Sequence, residues 1–188
     1  MRLPPLPALI ATVALLAAAP ASATLAPGAK APDFTTRGAT AGKIFTLHLG
    51  DQLKKGPVVL YFFPAAFTPG CSAEARAFAE AVPEFRKAGA TVIGMSADPV
   101  DILSDFSKKD CAGKFPVASA GPTVVSGYDV ALGRTIPGKD GQPRAITSRT
   151  SYVITQKGVV YYTHSDMNPA DHVKNTLAAV RRLQAERP

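Results

Sequence analysis

The stretch Val58-Val59-Leu60-Tyr61-Phe62-Phe63-Pro64-Ala65-Ala66-Phe67-Thr68-Pro69-Gly70-Cys71 decides the reading of this chain. Its first six residues are continuously apolar and rich in β-branched and aromatic side chains. That predicts a strand buried on both faces, inside a sheet covered by helices. A turn built on Pro and Gly follows, and Ser72-Ala73-Glu74-Ala75-Arg76-Ala77-Phe78 then opens a helix. Cys71 therefore falls in the first turn of that helix, among unsatisfied backbone N–H groups and the positive end of the helix dipole. Both favour an anionic sulfur, and the thiolate is the nucleophilic form of cysteine.

Outward from this point the chain alternates strands and helices. Phe78, Val82 and Phe85 recur at helical spacing, a stripe suited to packing on a sheet; Pro83 is expected to kink or restart the helix, and Gly89 to end it. Thr91-Val92-Ile93-Gly94-Met95-Ser96 reads as a second buried strand, and Asp98-Pro99 opens a second helix carrying Ile102, Leu103 and Phe106. Strand, helix and strand in this order form a parallel unit. Cys111 lies where the second helix frays, and residues 131 to 147, with several Gly and Pro, read as a surface loop. Ser151 to Thr155 and Val159 to Thr163, joined at Gln156-Lys157-Gly158, make a hairpin. A short strand at Phe45 to Leu49 precedes the central one, and a last helix from Ala170 to Gln184 carries Val173, Leu177 and Val180 on one face. The plan is α/β: a thioredoxin-like mixed β-sheet flanked by helices on both faces.

Length and composition agree with this. The 188 residues, 46% of them hydrophobic, suit a single domain with a real core. The first stretch stands apart: Arg2 gives a positive start, Ala8 to Ala19 is apolar apart from Thr12, and Ala21-Ser22-Ala23 has the small-x-small form of a cleavage site. Residues 1–23 are therefore expected to be a secretory signal peptide cut near Ala23, leaving residues 24–188 as an exported, periplasmic domain without a stable membrane insertion. The formal net charge of +7 is spread in short pairs such as Lys108-Lys109 and Arg181-Arg182, without the aromatic stripe of a nucleic-acid platform. The histidines His48, His164 and His172 are scattered, and there is no Gly-rich phosphate loop. No nucleic acid, nucleotide, metal or other cofactor is expected.

The spacing Pro64, three residues, Thr68, two residues, Cys71 resembles the active-site loop of the peroxiredoxins, thiol peroxidases of the thioredoxin superfamily. The likeness runs from Lys30-Ala31-Pro32-Asp33-Phe34, similar to the family's leading strand, to the helix after Asn168-Pro169. It is strongest to the bacterioferritin-comigratory, or PrxQ-like, branch. Many members of that branch carry a second cysteine five residues after the first, where this chain has Arg76. The resemblance implies that Cys71 attacks hydrogen peroxide or an organic hydroperoxide and becomes a sulfenic acid. It implies that Thr68 accepts a hydrogen bond from the peroxide, that Pro64 shields the pocket, and that Arg149 holds thiolate and developing alkoxide together. It also implies a thioredoxin-like dithiol reductant as partner; a monomer or weak dimer is expected.

Two roles stay open for Cys111: the thiol that resolves the Cys71 sulfenic acid, or a buried bystander. Phe62, Phe63 and Phe67 read as core or pocket wall, and Glu74 as a charge favourable to its helix N-terminus rather than a catalyst. The competing function is a thioredoxin-fold redox carrier, metallochaperone or binding module of the cell envelope, with Cys71 and Cys111 in a structural disulfide. A carrier needs a second cysteine beside the first, yet Glu74 lies three residues on and Thr68 three before.

Overall fold

The computed structural model describes residues 24–138 and 141–186; the expected signal peptide lies outside the described residues. A seven-stranded sheet runs in the order β2-β1-β5-β4-β3-β8-β9. It is built from β1 (Thr35–Thr40), β2 (Lys43–His48), β3 (Val58–Phe62), β4 (Thr91–Ser96), β5 (Val117–Ser119), β8 (Thr150–Ile154) and β9 (Val160–Ser165). The helices are α1 (Leu49–Leu53), α2 (Pro69–Lys87), α3 (Val100–Lys109), α4 (Pro122–Gly127) and α5 (His172–Ala185). β3 pairs parallel with β4 and β4 with β5, and β8 runs antiparallel to β3, so the sheet is mixed.

Because successive strand residues point to opposite faces, β3 feeds two cores. Val59, Tyr61 and Phe63 pack with α2, α3 and α5, whereas Val58, Leu60 and Phe62 pack with α1 and α4. Tyr61 stacks on Phe78 of α2 at 4.2 Å between ring centroids. Gly94 on β4 makes room for that ring, since a Cβ there would lie 2.9 Å from the Tyr61 hydroxyl.

Three expectations are corrected. Residues 131 to 147 are not a loop: β6 (Ala131–Pro137) and β7 (Pro143–Thr147) form an antiparallel hairpin whose side chains are mostly exposed. α2 runs through Pro83 without a break; it begins at Pro69, two residues before Cys71. Lys30 makes an isolated bridge to Val159 rather than belonging to a leading strand, which starts at Thr35.

Candidate active site

β3 ends at Phe62, and the chain turns through Pro64 to Thr68 into α2. This turn is held in a conformation that few sequences adopt. Phe67 has φ 65, in the left-handed region, which costs a residue with a Cβ about 1–2 kcal/mol. Four contacts offset that cost. The Ala66 N–H donates to Asp98 Oδ2 at 2.7 Å, and the Thr68 hydroxyl donates to the Ala65 carbonyl at 3.0 Å. The Phe67 ring sits edge-on to Phe106 of α3, with the Lys109 ammonium 5.8 Å from its centroid. Asp98 is itself buried, accepts from the Ser96 hydroxyl at 2.6 Å, and pairs with Arg144 of β7.

Cys71 is 1% exposed in the first turn of α2. Arg149, just before β8, reaches it: Nη2 donates to Cys71 Sγ at 3.6 Å. The guanidinium is fixed on its other sides, since Nε donates to the Met167 carbonyl at 2.9 Å and Nη1 pairs with Glu74. A planar fork clamped at three corners cannot swing away from the sulfur. Its segment is anchored as well, because the Thr147 hydroxyl donates to the Phe63 carbonyl at 2.9 Å, at the start of the active-site turn. Pro64 is buried beneath the turn, and Thr68, half-buried, spends its proton on Ala65 and keeps its lone pairs as acceptors.

Glu74 is the residue whose role sequence reasoning missed. Beyond being a charge near a helix N-terminus, it is 1% exposed and paired with Arg149. Burial pushes its carboxyl up to about 7 against the opposing pull of Arg149. The available signal was its spacing: three residues after Cys71, it lies on the same helix face, where one cation can span both. Behind it, His172 of α5 is buried, and burial lowers its ring to about 4, so it is neutral near pH 7.

Cys111 lies two residues beyond the end of α3, fully buried. Its N–H donates to the Phe106 carbonyl at 3.2 Å, and burial, helped by Asp110, pushes its thiol well above the usual range. Arg76 donates to Asp110 at 2.6 Å and so ties α2 to the segment carrying Cys111. Both cysteines are free thiols, with no disulfide between them. Among the described residues no group of three or more His, Cys, Asp or Glu is arranged to hold a metal ion.

A cysteine at a helix N-terminus after a buried central strand, faced by a clamped arginine, defines a thiol-reactive enzyme on a thioredoxin-like sheet. The chain belongs to the AhpC/TSA family, which it matches over residues 27–163, and within that family it is a peroxiredoxin of the PrxQ/BCP branch, a thiol peroxidase. It is 35% identical to chloroplastic peroxiredoxin Q of Oryza sativa subsp. japonica over 159 residues, 83% of this chain and 67% of the relative. The fold is similar to peroxidoxin BcpB from Mycobacterium tuberculosis, with TM-score 0.71 and 30% identity over 86% of this chain and 98% of that one. It is also similar to Xanthomonas campestris peroxiredoxin Q, with TM-score 0.65 and 27% identity over 79% of this chain and 90% of that one.

Proposed function

We propose that Cys71 reduces hydrogen peroxide and organic hydroperoxides, forming a sulfenic acid that Cys111 resolves as an intramolecular disulfide and that a thioredoxin-like dithiol reductant recycles. The observation that carries this reading is the Arg149 fork, which faces Cys71 Sγ at 3.6 Å and is held by Glu74 and Met167. A peroxide entering beside Thr68 meets a hydroxyl oxygen that accepts its O–H and a guanidinium that attracts its outer oxygen. The sulfur attacks the nearer oxygen, an S–O bond forms and the O–O bond breaks. Charge that leaves the sulfur collects on the departing oxygen next to the same cation. Because the guanidinium is fixed beforehand, none of this stabilisation is spent on reorganisation at the moment of reaction.

Resolution asks more of the structure. The buried Cys111 thiol is held strongly in its neutral form, a poor nucleophile. Its attack follows an opening of the Asp110 to Lys114 segment, which frees it from the Phe106 carbonyl and breaks the Arg76–Asp110 pair. The test is the intact mass of reduced protein after one equivalent of peroxide. Loss of two hydrogens supports the disulfide, and a lasting gain of one oxygen assigns a sulfenic acid that Cys111 does not resolve. An unchanged mass, with peroxide left unconsumed, overturns the whole reading.

The same proposal places the enzyme in the cell envelope, after cleavage near Ala23, on the charge and hydropathy pattern of residues 1–23. N-terminal sequencing of the exported protein should begin near Thr24; intact Met1 in a soluble cytoplasmic fraction would refute it.

A further inference from the structure

Arg149 is one cation set between two acidic groups. Nη2 faces Cys71 Sγ and Nη1 pairs with Glu74 Oε2. All three side chains are almost fully buried. If thiolate and carboxylate were both ionised, this dry site would hold two negative charges against one positive, which a low-dielectric interior resists.

The other carboxyl oxygen shows how the excess is resolved. Glu74 Oε1 is buried without a hydrogen-bond partner, and across from it lies His172 Nδ1 at 3.7 Å. The hydrogen bonds of His172 fix its tautomer. Nε2 lies 2.8 Å from the Asp166 carbonyl, which can only accept, so Nε2 carries the proton and Nδ1 of the neutral ring is an acceptor. Nδ1 already takes the Ser151 hydroxyl at 2.8 Å. An ionised Glu74 would thus aim an orphan acceptor at another acceptor, whereas a proton on Oε1 removes that opposition of lone pairs without a hydrogen bond to Nδ1, whose single lone pair Ser151 already occupies. Of the other groups near this pair, Tyr61 is a buried phenol, and His164 lies edge-on to His172 with 4.5 Å between ring centroids.

We propose that Cys71 and Glu74 share one proton across Arg149: the reactive thiolate stands beside a neutral Glu74 whose O–H faces His172, and oxidation of the sulfur hands Arg149 to the carboxylate. Glu74 touches neither substrate nor sulfur; it is a positioning residue that sets the charge of the site through Arg149. The step balances as thiolate plus ROOH plus Glu74-COOH giving Cys71-SOH plus ROH plus Glu74-COO⁻. The sulfur is oxidised and the departing peroxide oxygen reduced. The alkoxide takes a proton from water at the exposed rim of the loop, and the carboxyl returns one to solvent. Disulfide formation with Cys111 then releases water and leaves this proton count unchanged.

The inference rests on the peroxidase reading above, and one experiment separates the two. Reduced protein is mixed with one equivalent of hydrogen peroxide in weakly buffered solution with a pH indicator, about one unit below the Glu74 value of about 7, where its carboxyl starts protonated. Oxidation is followed in parallel by intact mass. The wild type should take up close to no protons per sulfur oxidised, because Glu74 supplies the balance. Glu74→Gln, which cannot, should take up about one proton for each thiolate lost. In case the variant folds poorly, infrared difference spectra of the wild type provide a second measurement: the band of a protonated carboxyl should disappear on oxidation. Uptake of one proton per sulfur by the wild type, or no such carboxyl band, overturns proton sharing while leaving the peroxidase intact. Absence of any mass change would instead remove the peroxidase reading itself.

Discussion

The two buried titratable residues behind Arg149 should pull stability in opposite directions as pH changes. Burial holds Glu74 at about 7 against 4.5 for the free side chain, and holds His172 at about 4 against 6.5. Each displacement is roughly 2.5 units, which at about 1.4 kcal/mol per unit is on the order of 3 kcal/mol. For Glu74 the folded value is raised, so its contribution is fully present below the unfolded value of 4.5 and is lost as pH rises through about 7. For His172 the folded value is depressed, so the unfolded chain takes up a proton first. Its contribution is present above 6.5 and is lost as pH falls toward 4. Between these limits the slopes oppose one another, and the wild-type curve conceals both. Single substitutions expose them. In Glu74→Gln only the histidine slope remains, so relative to wild type the variant should gain stability as pH rises. His172→Asn keeps only the carboxyl slope and should gain as pH falls. Urea midpoints of the reduced proteins across this range, each referred to wild type at the same pH, measure the slopes free of any constant offset from lost packing. Two variants whose differences from wild type do not change with pH would refute the assignment of both groups.

Arg149→Ala should slow peroxide reduction by roughly 10²–10³-fold, the loss typical of a preorganised charge-stabilising donor. Arg149→Lys should recover little of it, since a point charge cannot span Cys71, Glu74 and the Met167 carbonyl at once; stopped-flow rates of both variants decide this. Cys111→Ser should keep the first turnover but accumulate sulfenic or sulfinic acid on Cys71, read by intact mass after repeated peroxide additions. Asp98→Ala leaves Ser96, the Ala66 N–H and Arg144 without their anion and should cost about 3–5 kcal/mol in urea unfolding, with a slower peroxide step as the Phe67 turn relaxes. Asp98→Asn, which still accepts from Ala66 and Ser96, should lose less of both, and equal losses in the two variants would sever the link between this anchor and the turn.

The parts of the molecule that were legible in the sequence are those whose signal is local. Val58 to Phe63 declares a central strand because all six side chains are apolar, and burial on both faces demands that. The turn and Cys71 follow within a few residues, and Cys71 stands in the first turn of α2 as its spacing suggests. The hairpin of β6 and β7 gave no such signal. Its residues are mostly exposed, and what binds it to the body is the Arg144–Asp98 pair and the Thr147 hydroxyl on the Phe63 carbonyl. Polar attachments of this kind leave no periodicity to read, and Gly133, Pro137, Gly138 and Gly141 made the segment look like a loop.

The same distinction explains the two halves of the active site. Pro64, Thr68 and Cys71 lie within eight residues, and local turn geometry brings them together. Arg149, Glu74 and His172 come from three separate segments, and they meet only because β8 pairs beside β3 while α5 packs against α2 and β8. Sequence spacing could nominate Arg149 by its place before a strand. It could not show that the partner of Arg149 would be a buried carboxyl one helical turn from the cysteine, because that depends on how far the interior excludes water. Burial is set by the whole fold, and it raises Glu74, depresses His172 and disarms Cys111. A motif therefore locates the thiol, but the charge state in which that thiol works is a property of the assembled sheet and helices.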